Sequence, residues 1–438
     1  MPPDPASREL LIELYRAATA AVDPAPALRA RLAALPPHSG RRWILALGKA
    51  AGPMARAAVE TLAGWGAEPA GGVIVAPALE PAPHGALTVV RGDHPEPGAG
   101  SLAAAHALGE AAARIPADDE VWVLLSGGAT SLLAAPVDGL TPEELRALYA
   151  LLLGSGLDIT AMNRIRKRFS RWGAGRLAEA LAPARVRVFA VSDVIGDELA
   201  SIGSGPCVPD PATAADVRLL LEDAGLWDRV PGAARRALLA SEAGETADTP
   251  KPGDGAFARV TLELIASNRL AVEAAATRAV ELGLRAEVVD TPLAGEAAAA
   301  GARIAAALLQ HCQRPANPQR SGRRCMVWGG ETTVTLGDSP PGLGGRCQEL
   351  ALSAARVLAS ASDEVVLLAA GTDGRDGPTD AAGAVVDGGT WEAITAAGRD
   401  PARDLAKHDA YRALDAAGAL VRTGLTGTNV MDVVIGLV

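Results

Sequence analysis

The sequence contains few aromatic residues, few cysteines and no excess of positive charge, and each shortage excludes a class of protein. Only 3% of its 438 residues are aromatic, which fits closely packed α/β layers of small and aliphatic side chains. Four cysteines without CxxC spacing or a His-rich partner stretch exclude a disulfide or zinc framework and indicate reduced thiols. The net charge of −10 argues against nucleic acid as a partner.

Long hydrophobic runs are also missing. A membrane helix needs about 18–20 consecutive apolar residues, and no run in this chain approaches that length. Near the start of the chain, Arg8, Glu9 and Glu13 interrupt the apolar stretch that a signal peptide would need. We therefore expect a cytoplasmic protein with no membrane partner.

What the chain does contain is a series of short apolar strands that alternate with helical patterns. Such strands predict a parallel sheet covered by helices on both faces, and a length of 438 residues suggests two or three domains. We place an N-terminal α/β domain at 1–240, a Gly-, Pro- and Thr-rich linker at 241–256, and a C-terminal α/β domain at 257–438. Residues 7–34 are predicted to form an amphipathic helix.

Five of the predicted strands end in turns rich in Gly, Ser or Asp, near residues 47, 125, 191, 328 and 370. In an open parallel sheet, ligands bind outside the carboxyl ends of the strands. Several such turns in one chain therefore predict a site assembled from strand ends.

A Gly-Gly-Arg sequence that leads into a helix stands out among these regions. Residues 329–336 are predicted to form a strand, because their side chains are largely β-branched, and 338–342 to form a turn. Gly345 and Arg346 then precede a helical pattern that begins at Gln348. Free backbone N–H groups, the helix dipole and a guanidinium group would converge on an anion there. The alternative is an ordinary loop with a surface arginine.

Lys49 follows a predicted strand and precedes a helix, which would aim its positive charge at a phosphate; a solvated lysine in the turn is the alternative. It is not a Walker lysine, because Trp43 and Ala50 occupy positions where that motif needs Gly and Ser or Thr. No GxGxxG sequence follows a predicted strand, so a nicotinamide site of the usual kind is unsupported.

Two further groups of residues are candidates for binding phosphate and metal. A run of cations without sequence-local acids predicts an anionic ligand or an acidic neighbour, although a solvated helix face is the usual outcome; it comprises Arg164, Arg166, Lys167, Arg168 and Arg171. Acids at or just beyond strand ends suit Mg²⁺, or alternatively cap helices; they are Asp193, Asp197, Glu331, Asp373 and Asp376. His84, His94 and His106 lack triad-like or metal-like spacing, and we treat them as structural.

Seven sequence blocks together resemble one known family, the class II glycerate 2-kinases with a C-terminal MOFRL domain. The blocks cover nearly the whole chain in the family's order: SGGATSLL (126–133), NRIRKRFS (163–170), SDVIGDELASIGSGP (192–206), GGETTVTL (329–336), GGRCQELAL (344–352), GTDGRDGPTDAAGA (371–384) and TGTNVMD (426–432). Members of this family are often labelled hydroxypyruvate reductases.

The resemblance implies a two-domain α/β protein with its active site in the interdomain cleft. The N-terminal domain would hold a Rossmann-like, largely parallel sheet, and the C-terminal domain a mixed sheet with a MOFRL region at about 323–432. It further implies ATP- and Mg²⁺-dependent phosphorylation of D-glycerate at its 2-hydroxyl, giving 2-phosphoglycerate and ADP. The oligomeric state stays open, a homodimer included.

Carried over residue by residue, the resemblance places the family's lysine of the GKA turn at Lys49 and its arginine of the GGRxQE block at Arg346. We assign these two to the transferring phosphate and the glycerate carboxylate, without ordering them, and Asp193 to the 2-hydroxyl. Glu331 and Asp373 are the candidate Mg²⁺ ligands. The remaining candidate substrate- and nucleotide-binding residues are Ser126, Gly127, Gly128, Ser131, Asn163, Arg166, Lys167, Gly330, Thr332, Gly345 and Asn429.

The chain departs from the family pattern at a few positions. Relatives usually have Asn where this chain has Cys347, His where it has Arg168, and often Thr where it has Cys207. We expect Lys49→Ala and Arg346→Ala to be nearly inactive while remaining folded.

Two other functions are alternatives to the kinase. A hydroxypyruvate reductase dependent on NAD(P)H would need the nicotinamide site that the sequence does not support. A nucleotide-binding regulator on the same fold would bind ATP without turnover, since fold alone does not fix function.

Overall fold

The structure is a computed structural model that describes residues 5–36, 39–313, 322–337, 340–359 and 365–438. The chain divides into two compact units. The first unit is Pro24–Ile265, and the second combines the stretch up to Asp23 with Ala266–Val438.

The strands, in chain order, are β1 (Arg42–Leu47), β2 (Pro69–Ala76), β3 (Leu87–Arg91), β4 (Glu120–Leu125), β5 (Arg185–Val191), β6 (Val260–Ala266), β7 (Arg285–Val288), β8 (Arg324–Gly330), β9 (Val366–Gly371), β10 (Gly383–Asp387), β11 (Leu420–Val421) and β12 (Asp432–Leu437). The α-helices are α1 (Pro5–Ala21), α2 (Pro24–Ala33), α3 (Ala51–Gly64), α4 (Ala99–Ala112), α5 (Ala129–Leu132), α6 (Pro142–Leu153), α7 (Ile159–Phe169), α8 (Arg176–Leu181), α9 (Ala214–Asp223), α10 (Gly232–Glu242), α11 (Asn268–Glu281), α12 (Ala297–Gln313), α13 (Arg346–Leu358), α14 (Thr390–Ala396), α15 (Pro401–Ala406) and α16 (Ala410–Ala416).

The first unit is built on a six-stranded sheet with the order β3-β2-β1-β4-β5-β6. Strands β1 to β5 pair in parallel. The apolar residues of β1 and β4 are buried on both faces of the sheet, as expected for strands covered by helices on either side. The strand order reverses between β1 and β4, which is where doubly wound sheets open a crevice at the carboxyl ends of their strands.

The second unit is built on a mixed sheet with the order β11-β10-β9-β12-β8-β7. Strand β12 lies antiparallel between β8 and β9, whereas β7 and β8 are parallel. Helices α12 and α13 pack against each other, and α13 packs on β9 and β10. The two sheets confirm the predicted α/β class, with a largely parallel first sheet and a mixed second sheet.

Three of the buried clusters in the described part of the chain show how the cores are built. Two lie in the first unit: one surrounds Leu45, Val123 and Val188 on the sheet, and the other joins Leu148, Phe169 and other residues of α6, α7, α9 and α10. The third fills the second unit between its sheet and helices α12 to α16. None of the described helices has both the length and the apolar character that crossing a membrane requires.

The predicted domain limits of 1–240 and 257–438 differ from this division in two places. Strand β6 adds to the edge of the first sheet, where the N–H of Val186 donates to the carbonyl of Arg259. Helix α1 belongs to the second unit, where it packs on α11. The single helix predicted over 7–34 is two helices, because Pro24 begins a new helix and cannot donate to the preceding turn.

The predicted strand at 329–336 is wrong beyond Gly330. Strand β8 ends there, and Gly330 has a φ of 135°, where a side chain would crowd the backbone of Leu293. After Gly330, Thr333 makes an isolated bridge to Glu296 and belongs to no strand. The backbone conformation at Gly330 therefore overrides the β-branched preference of the residues that follow. The predicted turn at 338–342 lies partly outside the described residues, as does most of 317–322, whose Asn, Pro and Gly residues predict a loop.

Candidate active site

The turns after β1 and β4 meet at the point where the strand order of the first sheet reverses. Leu47 and Leu125, at the ends of the two strands, are paired in register. The N–H of Lys49 donates to the carbonyl of Gly127 over 3.0 Å, and the N–H of Ala50 donates to Ser126 Oγ over 3.0 Å. These bonds fix the backbone that carries Lys49 against the Ser126–Gly128 turn.

Gly48 allows this close approach. Its φ is +122°, and a side chain there would overlap the backbone of Ser126. Among the described residues, the N–H groups of Gly127 and Gly128 have no hydrogen-bond acceptor. The turn therefore presents two open backbone donors beside an ammonium group, an arrangement that suits an anion.

Asp193 follows β5 and lies against Gly127, where even a methyl side chain would overlap its carboxylate. Burial raises the pKa of Asp193, and the positive charge of Lys49 opposes that rise. Within the part of the chain that the structure describes, no carboxylate lies within 4.0 Å of the Lys49 ammonium. The charges of Lys49 and Asp193 therefore influence each other without a direct ion pair, so both side chains are free to bind a ligand.

His94 joins this group, although it was treated as structural from the sequence. Its imidazole lies beside Gly128, and burial followed by the charge of Lys49 lowers the pKa of His94. The ring is therefore neutral at neutral pH and can accept or donate a hydrogen bond. The spacing of the histidines carried no sign of this, because β3 and the turn after it bring His94 in from a separate part of the chain.

Two of the predicted residues on α7 have charged side chains with identified partners, an acid for Lys167 and an aromatic ring for Arg166. Lys167 Nζ lies 2.9 Å from the buried carboxylate of Asp210, and the guanidinium of Arg166 stacks on the ring of Tyr149 at 4.4 Å. Asn163 and Lys167 line a cavity of about 580 Å³. For Lys167, the acidic neighbour that the sequence pattern predicted is Asp210.

In the second unit, Arg346 begins α13 and is held by two carboxylates. Its Nε and Nη2 donate to Asp432 over 2.6 and 2.9 Å, and its Nη1 lies 2.7 Å from Glu331 Oε1. Burial alone would lower the pKa of Arg346, but the bond and charge of Asp432 raise it. Asp432 is itself buried, which raises the pKa of its carboxyl. Asp432, which the sequence analysis did not select, is the main partner of Arg346.

The start of α13 is capped from inside the protein. The N–H groups of Cys347 and Gln348 donate to the two carboxylate oxygens of Asp376 over 3.1 and 2.7 Å. The prediction that free N–H groups of this helix converge on an external anion is therefore wrong for these two residues, and the helix-cap alternative is confirmed for Asp376. Burial, followed by repulsion from Asp432, raises the pKa of Asp376 to about 7.

The remaining predicted residues differ in their burial and in their hydrogen bonds. Thr332 is buried, and its hydroxyl has no hydrogen-bond partner among the described residues. Gly345 packs so closely on Asp376 that no side chain would fit. Asn429 Oδ1 accepts the N–H of Met431 over 3.3 Å. In the first unit, Ser131 Oγ donates to the carbonyl of Gly128 over 3.1 Å.

The carboxylates of the second unit are of the kind that Mg²⁺ prefers. Asp373 accepts the N–H of Arg375 over 3.0 Å, and no cation lies within 4.0 Å of it among the described residues. Glu331 is engaged with Arg346. No group of three or more His, Cys, Asp and Glu side chains in the described ranges could hold a metal ion by itself. Asp373 therefore fits an ion that takes its other ligands from a phosphate.

The structure thus brings some of the predicted residues together in two sets, one in each unit, whereas Asn163 and Lys167 line a separate cavity. The first set joins Lys49, the Ser126–Gly128 turn and Asp193, and the structure adds His94. The second joins Arg346 with Glu331, and the structure adds Asp432.

Two family models match the chain. A domain of unknown function, DUF4147, matches residues 10–239, and the MOFRL family matches residues 324–432. The first match spans most of the first unit, and the second contains Arg346, Asp373 and Asp432.

Full-length relatives extend this similarity. The chain is 38% identical to the D-glycerate 2-kinase of Thermotoga maritima over 437 residues, which cover 99% of both chains. It is 36% identical to a putative hydroxypyruvate reductase of Agrobacterium vitis, over 98% of this chain and 94% of the relative. The crystal structure of glycerate kinase from Thermotoga maritima superposes with a TM-score of 0.86 and 36% identity, covering 99% of this chain and 100% of that one.

Proposed function

The chain belongs to the MOFRL-containing glycerate 2-kinases, and from that membership we propose that it transfers the γ-phosphoryl group of ATP to the 2-hydroxyl of D-glycerate. The products are 2-phosphoglycerate and ADP. The observation that carries the proposal is the 38% identity to a D-glycerate 2-kinase across 99% of both chains. Identity over the whole length supports a shared reaction more strongly than a shared fold does.

The first-unit residues have the chemistry that phosphoryl transfer requires. This reaction depends on positioning and charge neutralisation more than on covalent chemistry. The ammonium of Lys49 and the open N–H groups of Gly127 and Gly128 hold a phosphate or carboxylate. Asp193, whose pKa burial raises, accepts the proton of the 2-hydroxyl as that oxygen bonds to phosphorus and the bond to ADP breaks.

Two anions take part in the reaction, the transferring phosphate and the glycerate carboxylate. Arg346 holds whichever of the two Lys49 does not hold. An incoming anion shares this guanidinium with Glu331, the more exposed of its two carboxylate partners. The remaining predicted residues, including Asn163, Arg166, Lys167, Thr332 and Asn429, belong to the same proposal as substrate or nucleotide contacts.

The proposal includes Mg²⁺ as the ion that accompanies ATP. Asp373 would hold it, with Glu331 as the second candidate ligand, and the ion would neutralise phosphate charge. The proposal also places the reaction in the cytoplasm. Light scattering on the purified protein would show whether it works as a homodimer.

A coupled assay tests the function. Purified protein is incubated with ATP, Mg²⁺ and D-glycerate, ADP release is followed, and ³¹P NMR identifies the product. We expect ADP only when glycerate is present, and 2-phosphoglycerate instead of 3-phosphoglycerate. No ADP release with any hydroxy acid, despite ATP binding, would favour a nucleotide-binding regulator.

The name of the Agrobacterium vitis relative motivates the second candidate, a hydroxypyruvate reductase. That activity predicts NADH or NADPH oxidation with hydroxypyruvate in the absence of ATP. The lack of a GxGxxG sequence after the strands argues against it. Reduction of hydroxypyruvate at a rate above that of the kinase reaction would replace the kinase proposal.

A further inference from the structure

A second cavity in the first unit is lined by three arginines and has no part in the reaction proposed above. It has a volume of about 480 Å³. Its walls come from the end of α7, the start of α8, the loop at 137–140 and helix α10. The arginines are Arg168, Arg176 and Arg236, and neither Lys49 nor Asp193 lines the cavity.

Arg168 is a buried guanidinium whose hydrogen-bonding capacity is only partly used. Its residue is 5% exposed. Its Nη2 donates to Ser241 Oγ over 3.3 Å and contacts the carboxylate of Asp248. Its Nη1 is buried and has no partner in the described parts of the chain. A guanidinium carries five donors, and leaving a buried one unpaired is unfavourable.

Arg176 is largely buried beside Arg168 and is bound only by main-chain oxygens. Its Nη1 donates to the carbonyls of Ser170 and Lys167 over 3.2 and 3.4 Å. No carboxylate lies within 4.0 Å of it among the residues described. Burial, followed by repulsion from Arg168, lowers the pKa of Arg176 to about 10. The cavity wall therefore carries two neighbouring positive charges: Asp248 pairs with Arg168, whereas Glu179, Asp210 and Asp248 act on Arg176 only at longer range.

The remaining residues that line the cavity add little negative charge. Arg236 is exposed on α10 and pairs with no carboxylate in the described ranges. Asp138 is the acid that lines the cavity, but it is exposed and its carboxylate lies 2.9 Å from Arg171. Leu140 and Leu238 give one wall an apolar surface.

We propose that this cavity binds a phosphate group, free or on a small organic molecule, between Arg168, Arg176 and Arg236. Guanidinium groups bind phosphate oxygens through paired, charge-assisted hydrogen bonds. The hydroxyls of Ser241 and Thr246, which also line the cavity, add neutral donors. The apolar wall accommodates an organic body of modest size. The site is distinct from the Lys49 turn, so its existence does not depend on the kinase activity.

Isothermal titration calorimetry tests the proposal with inorganic phosphate and, separately, phenyl phosphate, at constant ionic strength in chloride. The two ligands distinguish a free phosphate from one on an apolar body. The informative variant is Arg236→Gln, because Arg236 is exposed and its loss leaves the core intact. Arg176→Gln is the second variant, and circular dichroism checks the fold of each. Arg235→Gln is the matched control, since Arg235 is the neighbour on α10 but does not line the cavity.

We expect Arg236→Gln to weaken phosphate binding about tenfold, as for the loss of one charge-assisted pair, and Arg235→Gln to leave it within about twofold of wild type. Lys49→Ala, which removes a phosphate contact of the proposed active site, should retain this binding event. Equal binding by wild type and Arg236→Gln would overturn the proposal. So would the absence of heat from wild type with either ligand at about 10 mM.

Discussion

At the scale of single residues, Arg346 has a structural role that the sequence does not reveal. Its guanidinium neutralises Asp432, a carboxylate that is only 2% exposed. Removing one partner of a buried pair leaves an uncompensated charge, which typically costs about 3–5 kcal/mol. We therefore expect Arg346→Ala to lose stability as well as activity, although it remains folded.

We predict that Arg346→Ala is both inactive and destabilised by about 3 kcal/mol, and that adding Asp432→Asn recovers much of the stability but none of the activity. Urea unfolding measures the first effect, and ADP release the second. If Arg346→Ala unfolds at the same urea concentration as wild type, the pair does not stabilise the fold.

Lys49 offers a cleaner test, because no carboxylate pairs with it in the described structure. We predict that Lys49→Ala lowers kcat/KM by about 10²–10⁴ and leaves the melting temperature nearly unchanged. Lys407→Ala, which removes an exposed lysine from the second unit, is the control and should keep full activity. Turnover within a few-fold of wild type in Lys49→Ala would remove this lysine from the mechanism.

Asp376 predicts a pH dependence of stability. Its pKa is about 7 in the folded protein and ordinarily 3.8, so between these values the folded state holds a proton that the unfolded chain has released. The free energy of unfolding should therefore fall as pH rises from 4 to 7, by up to about 1.4 kcal/mol per pH unit, and level off above pH 7.

Asp376→Asn should flatten this pH slope. The substitution also removes the charge repulsion between residue 376 and Asp432, a second buried carboxyl whose pKa is raised. Urea unfolding at pH 5, 6, 7 and 8 measures the slope, and Asp118→Asn, a change at an exposed acid, should leave it unchanged. Parallel curves for wild type and Asp376→Asn would show that the carboxyl is ionised throughout this range.

The site residues that belong to recognisable turns could be predicted from the sequence, whereas those that distant segments contribute to the site could not. Lys49, Asp193 and Ser126 follow apolar strands, so their position at a sheet edge could be predicted. Asp432 becomes a partner of Arg346 only because β12 lies between β8 and β9. That register depends on pairing between segments far apart in the chain, which a local pattern does not encode.

At the scale of secondary structure elements, buried strands were the easiest to predict. Strands β1, β4 and β9 are continuous apolar runs that end at residues 47, 125 and 371, at or within one residue of the predicted ends near 47, 125 and 370. The β-branched stretch after Gly330 was wrongly predicted as strand. The positive φ of Gly330 and the hydrogen bonds that Thr335 donates to the Glu296 carboxylate hold this stretch outside the sheet. The short elements from β10 to β11 carried too little periodicity to be recognised.

The turn after β4 gives an element-scale prediction. Gly127 has no left-handed backbone, but a methyl group there would overlap the carboxylate of Asp193. We predict that Gly127→Ala displaces Asp193 and lowers kcat/KM about 10²-fold, the usual effect of a misplacement near 1 Å. Gly64→Ala, where a methyl group meets open space, is the matched control. Equal activity of the two variants would show that Asp193 does not need its present position.

At the scale of the whole molecule, the two units differ in continuity. The first is one uninterrupted stretch, and the buried clusters around Leu45 and Leu148 lie inside it. We predict that residues 24–265 fold alone and melt cooperatively, as measured by circular dichroism and calorimetry. Residues 266–438 should not, because α1 supplies Leu11, Leu14 and Tyr15 to that unit's interior. A cooperative transition of 266–438 without α1 would contradict this.

The packing of α1 has a consequence for protein synthesis. Helix α1 contacts β9, α11 and β12, and the Tyr15 hydroxyl donates to the carbonyl of Gly371 over 2.6 Å. The ribosome makes α1 before any of these partners, and β12 is the last of the three to be made. Domains generally fold as units during translation, so the first unit can close while the apolar face of α1 is still uncovered. For most of translation the apolar face of this helix therefore lacks the elements that cover it in the folded protein.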